Sequence, residues 1–173
     1  MTKAGKVYAT ATEDMDCLTF GCPILLRGFT NKDEPVTEIK LDVALKELEM
    51  TIEEFIDLCI LCGCDYCDSI EGIGPTKAFK YLKEEKNIEG VMKFCEDYNN
   101  DPKKKKKYIC PEENFDYIEA RKLFKDPEVI DPETIELKWN APNFESLKEF
   151  LCKEKGFNEG RIDSAIKRIE VLK

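Results

Sequence analysis

Cys64-Asp65-Tyr66-Cys67-Asp68-Ser69-Ile70-Glu71-Gly72-Ile73-Gly74-Pro75-Thr76-Lys77-Ala78 decides how this chain is read. A carboxylate stands a few residues before a Gly-Ile-Gly turn, and the turn opens a helix. Pro75 suits the first helical position, while Ala78, Phe79 and Leu82 continue at helical spacing. Ile70 and Ile73 add apolar anchors, so the stretch predicts a helix-hairpin-helix. A Gly-apolar-Gly turn leaves its backbone N–H groups unshielded, and the following helix adds its partial positive end. Gly72, Ile73 and Gly74 can therefore dock a nucleic-acid phosphate without reading a base, with Lys77 adding a charge. A lone Gly-x-Gly is an ordinary turn; the surrounding residues set this one apart.

Working outward, the 173 residues are 42% hydrophobic and 36% charged, enough for one domain with a real core and without bias toward disorder. No uninterrupted apolar run has the length of a membrane span, and Met1 to Lys6 lack the apolar core of a secretion signal. An intracellular protein with no membrane partner is expected. The net charge of -9 argues against a nucleic-acid partner at first sight. Charge is a sum, however: lysines cluster at Lys103 to Lys107 and at Lys77, Lys80 and Lys83, and a metal-binding acidic cluster would itself add negative charge.

Cys59, Cys62, Cys64 and Cys67 form two C-x-x-C pairs, which raises a zinc module. Such modules separate their pairs by about a dozen residues or more so that two loops can close a tetrahedron, whereas Gly63 alone lies between these. Cys59 also continues the apolar register of Ile52, Phe55, Ile56 and Ile60 and reads as a buried small hydrophobe. The odd total of nine cysteines points to reduced thiols.

The first quarter reads as sheet: Val7 to Thr12, the apolar pair Leu18 to Phe20 and Pro23 to Arg27, and Glu38 to Leu41. Helical signals follow. Thr51 and Glu54 spell a capping box for a helix that Gly63 stops after Cys62, and Asn87 caps another carrying Ile88, Val91, Met92 and Cys95. Asn99 to Pro111, with five consecutive lysines, reads as an exposed mobile loop, either a solvated tether or a phosphate contact. Phe115, Ile118 and Phe124 mark a helix that ends at Asp126-Pro127. Leu147, Phe150 and Leu151 mark another, and Ile162, Ala165, Ile166 and Ile169 form a last apolar stripe expected in the core. The character changes from mixed α/β to all-α near residue 50.

Asp14 and Asp16 follow the run Val7 to Ala11, so alternation at a strand end would put them on one side, about 7 Å apart at their origins. From there both could reach a pair of divalent ions about 4 Å apart. Two carboxylates that close bind cations or raise a pKa, and all-oxygen ligands suit magnesium. Solvation or helix capping explains an Asp-x-Asp equally well. Spacing does not bring Asp65 to them; by itself it reads as a loop cap.

Ala11-Thr12-Glu13-Asp14-Met15-Asp16, Asp57-Leu58-Cys59-Ile60-Leu61, Gly63-Cys64-Asp65-Tyr66-Cys67 and Gly72-Ile73-Gly74-Pro75 resemble the internal region of the flap endonucleases, the XPG/Rad2-like structure-specific 5' nucleases. Asp126-Pro127-Glu128-Val129 and Glu136-Leu137-Lys138-Trp139 extend the likeness across the chain. The resemblance implies a partial α/β, PIN-like 5' nuclease core (residues 1–50) and a mostly helical region with a helix-hairpin-helix (residues 51–173). It also implies a nuclear replication and repair enzyme that cuts DNA at 5'-flap junctions with two magnesium ions. Asp14, Asp16 and Asp65 would be catalytic metal ligands. Ser69, Ile70 and Ile73 would hold a potassium ion, and Gly72 to Gly74, Thr76 and Lys77 the duplex backbone; Thr76 stands where many members carry lysine, and Cys62 and Cys64 stand where relatives have other small or apolar residues.

The family's amino-terminal metal ligands, its helical arch and its sliding-clamp-binding tail have no counterpart in these residues. The chain is therefore expected to be the carboxyl-terminal half of a nuclease core, inactive alone. The alternative is a non-catalytic duplex-binding module.

Overall fold

The computed structural model describes residues 1–30, 33–105, 107–111 and 113–171. It divides the chain into two compact units, Met1–Thr134 and Ile135–Lys173. The change of character near residue 50 falls inside the first unit, between its two apolar clusters.

A three-stranded sheet opens the first unit in the order β1 (Thr10–Ala11), β2 (Ile24–Arg27), β3 (Thr37–Lys40). β1 runs parallel to β2, with Thr10 opposite Leu25, and β3 runs antiparallel to β2, from Ile24 opposite Lys40 to Arg27 opposite Thr37. Leu25 is fully buried on the central strand and meets Leu18 and Leu41, with Ile39, Leu45 and Phe55 packed around them.

The strand expected over Val7 to Thr12 shrinks to two residues, and the apolar Leu18 belongs to a helix, α1 (Asp16–Thr19). Side chains cause both departures. Thr12 Oγ1 accepts the N–H of Asp14 at 3.1 Å, and Asp14 Oδ1 accepts that of Asp16 at 3.0 Å. These local acceptors outcompete the ladder and turn the chain into α1. β3 gives way directly to α2 (Leu41–Leu48), a helix that the sequence reading does not anticipate although Leu41, Leu45 and Leu48 carry its spacing.

α3 (Ile52–Cys62) starts at the capping box, where Glu54 N–H donates to Thr51 Oγ1 and Thr51 N–H to Glu54 Oε2, and ends at Gly63 with φ 109°. It is apolar on two faces because it lies between two cores. Phe55 meets the sheet cluster, while Ile56, Leu58, Ile60 and Leu61 join the helical one. That larger cluster closes with α4 (Pro75–Glu85), α5 (Ile88–Asn100, capped by Asn87) and α6 (Tyr117–Lys125, capped by Asp116). Phe124 is buried as expected, whereas Ile118 faces outward. Lys83 on α4 donates to the carbonyls of Leu48 and Glu49, both at 2.9 Å, and so closes the carboxyl end of α2.

One ion network ties three of these helices. Asp57 on α3 is buried; its carboxylate accepts two bonds from Arg121 on α6, at 2.7 and 2.9 Å, and one from the Ile88 N–H that opens α5. Arg121 also reaches Glu89. Burial pushes the Asp57 carboxyl above the usual carboxylate range, and the bidentate guanidinium works against that shift. Arg121 itself holds Glu89 below that range.

The second unit holds α7 (Phe144–Lys148), a π-helical turn (Glu149–Glu154) and α8 (Glu159–Val171). Lys148 bridges Asp163 at 2.6 Å and Glu159 at 3.3 Å. Of the α8 stripe expected in the core, Ile166 alone is buried, and Ile169 and the neighbouring Phe150 are exposed. A unit of this length has too little interior to cover a full helical face.

Candidate functional site

Asp14 and Asp16 lie where β1 gives way to α1, and Asp65 lies just beyond α3. Aromatic rings bring the two places together. Tyr66, next to Asp65, stands edge-on to Phe20 at 6.3 Å and to Phe124 at 5.1 Å, and Phe20, at the end of α1, meets Phe124 at 4.9 Å. Thr19 on α1 also bonds the Cys59 thiol of α3. Burial first, then the neighbouring charges of Asp14 and Asp65, raise the Asp16 carboxyl above its ordinary value.

Among the described residues, Asp14, Asp16 and Asp65 make no ion pair with Lys or Arg, and no three His, Cys, Asp or Glu side chains converge closely enough to hold a metal ion. Asp14, Asp16 and Asp65 lie near enough for their charges to act on one another and are all hard oxygen donors, the type that suits magnesium, but they do not converge on a single ion position here. Glu13 points away from them: it accepts the Gly28 N–H at 2.8 Å and lies 3.5 Å from Arg27.

The hairpin is built differently. Ile70 and Ile73 are buried, and the Ile73 N–H donates to the Ile70 carbonyl at 3.1 Å, closing a four-residue turn. Gly72 sits at its third position with φ 89°, where glycine is favoured. A Cβ there would also stand 3.2 Å from the Tyr108 ring. Gly74 starts α4 in extended conformation with open space around it and no side-chain cap, and Gly74, Pro75 and Thr76 are exposed. Lys77 turns inward, donating to the Gly72 carbonyl at 2.8 Å with its ammonium 4.9 Å from the Tyr108 ring centre. Ser69 is exposed, so Ser69, Ile70 and Ile73 could offer a potassium ion only hydroxyl and carbonyl oxygens.

The lysine-rich segment is the main correction. Asn99 and Asn100 belong to α5, and Tyr108 and Ile109 pack back against the hairpin where the sequence suggests an exposed loop. Glu71 and Ile109 form an antiparallel bridge, and Tyr108 is buried, its hydroxyl 2.7 Å from that of Tyr81. Asn99 clamps the Tyr108 backbone from both sides, accepting its N–H at 2.9 Å and donating to its carbonyl at 2.6 Å. Lys103 to Lys105 remain exposed, Lys107 bonds the Asn99 carbonyl, and Lys106 lies outside the described residues.

Sequence reasoning missed Tyr108, Asn99 and the Phe20–Tyr66–Phe124 cluster. A tyrosine directly behind five lysines was the available signal. The cysteines take separate places: Cys59 on α3, Cys62 exposed at its end, and Cys64 and Cys67 facing each other across the Asp65 turn.

Residues 1–65 match the XPG I-region family model. Flap endonuclease 1 of Tetrahymena thermophila is 52% identical over 169 residues, covering 98% of this chain and 44% of that protein. The solved flap endonuclease-1 of Methanococcus jannaschii is 28% identical with a TM-score of 0.72, covering 96% of this chain and 47% of that one. The catalytic core of Rad2, solved with a DNA substrate, shares the fold at 20% identity and a TM-score of 0.75, covering 94% of this chain and 56% of that one. The fold is thus that of part of a 5' nuclease core, a small mixed sheet with a helical region. The chain is similar over nearly its whole length to flap endonuclease 1 proteins, carries the XPG I-region, and spans less than half the length of the curated relatives it matches. No described helix is long and apolar enough to cross a membrane.

Proposed function

We propose that this chain is the portion of a structure-specific 5' flap nuclease, acting in nuclear DNA replication and repair, that joins metal ligands to a duplex grip. Residues 1–50 contribute the end of the nuclease core and residues 51–173 the helical DNA-binding region. The observation that carries the reading is the Tyr66 ring against Phe20 and Phe124, which draws the Asp65 turn to the end of α1 so that Asp14 and Asp65 both act on Asp16. Together with the similarity to flap endonucleases, this supports Asp14, Asp16 and Asp65 as magnesium ligands. Bound magnesium supplies an activated water and charge stabilisation at the leaving oxygen.

The residues of the chain do the positioning. Gly72, Gly74 and Thr76 present unscreened N–H groups at the uncapped start of α4 to the phosphates of the duplex, whereas the Ile73 N–H is spent on the Ile70 carbonyl and Ile73 serves as the buried anchor, and Lys77 holds the turn in shape from beneath. A potassium ion at Ser69, Ile70 and Ile73 fits the same role. Lysines 103–105 lie on the segment that Ile109 joins to the hairpin and add nonspecific attraction. A sliding clamp is a further proposed partner, of the full-length protein.

Duplex affinity measured by fluorescence anisotropy and Mn2+ affinity measured by calorimetry test the assignment. Gly72→Val is expected to lower duplex affinity at least tenfold with Mn2+ binding retained. Asp65→Asn is expected to lower Mn2+ affinity at least tenfold with duplex binding retained. Unchanged duplex affinity in the first variant overturns the hairpin grip, and unchanged Mn2+ affinity in the second overturns the ligand assignment. Robust 5'-flap cleavage by the chain alone would show that its ligand set is sufficient for catalysis.

A further inference from the structure

Cys64 and Cys67 bracket the turn that carries Asp65 and Tyr66, and their Sγ atoms lie 3.9 Å apart. The two residues form an isolated antiparallel bridge. Residues paired in this way hold their Cα atoms at about 4.5–5.5 Å, inside the roughly 4.4–6.8 Å range of disulfides. That range is compatible with a disulfide, which the sulfurs would form by closing from 3.9 Å to about 2.05 Å. Both side chains are half-buried, and they open onto a cleft of about 380 Å³ lined also by Asp65, Asp68, Asn114 and Asp116. Tyr66, which also lines this cleft, packs its ring against Phe20 and Phe124.

We propose that Cys64 and Cys67 are a reversible dithiol–disulfide pair that locks the Asp65 turn, with a small-molecule disulfide such as glutathione disulfide as oxidant. One cysteine thiolate attacks a sulfur of glutathione disulfide, whose S–S bond breaks to release one glutathione thiolate and leave a mixed disulfide. The other cysteine loses its proton to solvent and attacks the mixed disulfide, so the Cys64–Cys67 bond forms and the second glutathione leaves. Two cysteine thiols are oxidised and one glutathione disulfide is reduced to two thiols. The closed ring then fixes Asp65 and Tyr66 between its sulfurs.

The whole chain is equilibrated in glutathione buffers of graded oxidised-to-reduced ratio, quenched with acid, alkylated and mapped by mass spectrometry, with amide hydrogen exchange followed in parallel. Cys64 and Cys67 are expected to lose alkylation together, their peptide becoming lighter by two hydrogens, while exchange at Asp65 and Tyr66 slows at least threefold. Cys67→Ser is expected to show only the mixed disulfide at Cys64 and no slowing. Independent alkylation of the two residues, glutathione retained on both, or pairing of either with Cys62 overturns the proposal. Neither metal nor DNA enters the measurement, so its failure leaves the nuclease assignment standing, and the converse holds.

Discussion

The acidic corner and the glycine hairpin are the two working parts of this chain, and they are held by opposite means. The hairpin is specified locally: Ile70 to Pro75 make its turn and start its helix, and Tyr108 braces it from behind. The acidic corner is assembled from afar. Asp14 and Asp16 sit on a turn made by the side chains of Thr12 and Asp14, and the rings of Phe20, Tyr66 and Phe124 bring Asp65 to them. A turn of this kind is written mostly in adjacent residues, whereas a cluster of like charges needs a hydrophobic frame to hold it against repulsion.

Phe124→Ala tests that contrast most severely. Removing a fully buried ring beneath the Asp65 turn is expected to cost about 3–5 kcal/mol in denaturant unfolding, and the corner should loosen before the hairpin does. Hydrogen exchange that rises first at Ile70 to Ile73 would reverse the assignment of the two frames. A smaller loss should appear at the hairpin itself. Gly72→Ala must adopt φ 89° with its Cβ against Tyr108, costing about 1–2 kcal/mol, while Gly74→Ala, in open space at an ordinary φ, should stay within about 0.5 kcal/mol. Equal losses at the two glycines would mean that backbone conformation does not define the turn.

Thr51→Ala sharpens the comparison from the helix that links both parts. Its capping box is expected to contribute about 1 kcal/mol, read by thermal unfolding. The Thr51 N–H holds the Glu54 carboxyl below its ordinary value, so this contribution is present above the unfolded pKa of about 4.3 and fades as pH falls through the lower folded value. Glu54→Gln should remove that part of the acid dependence. An unchanged pH profile in the variant would rule the box out as its source.

The pattern of what was legible follows the same division. Thr51 with Glu54, Asn87, Gly63 and Pro75 are local signals, and each marks the helix end that the structure has. Asp14 and Asp16 misled because strand alternation assumes a ladder, and Thr12 and Asp14 replaced the ladder with turns. Asp57 and Arg121, 64 residues apart, carry no spacing signal at all, and a lysine run hides the buried tyrosine that follows it. Ile118 and Ile169 show the limit of a stripe: apolar periodicity names a helix but not how much of it finds cover.

Asn99 makes the hairpin depend on a single side-chain amide. Its side-chain amide needs one donor and one acceptor to grasp both backbone groups of Tyr108, and Asn100 follows it directly. Hydrolysis of that amide to a carboxylate keeps the bond from the Tyr108 N–H but sets two oxygens against each other at the Tyr108 carbonyl. Spontaneous deamidation at this one position would loosen the Tyr108 backbone and, through the Tyr108 ring, the turn around Gly72.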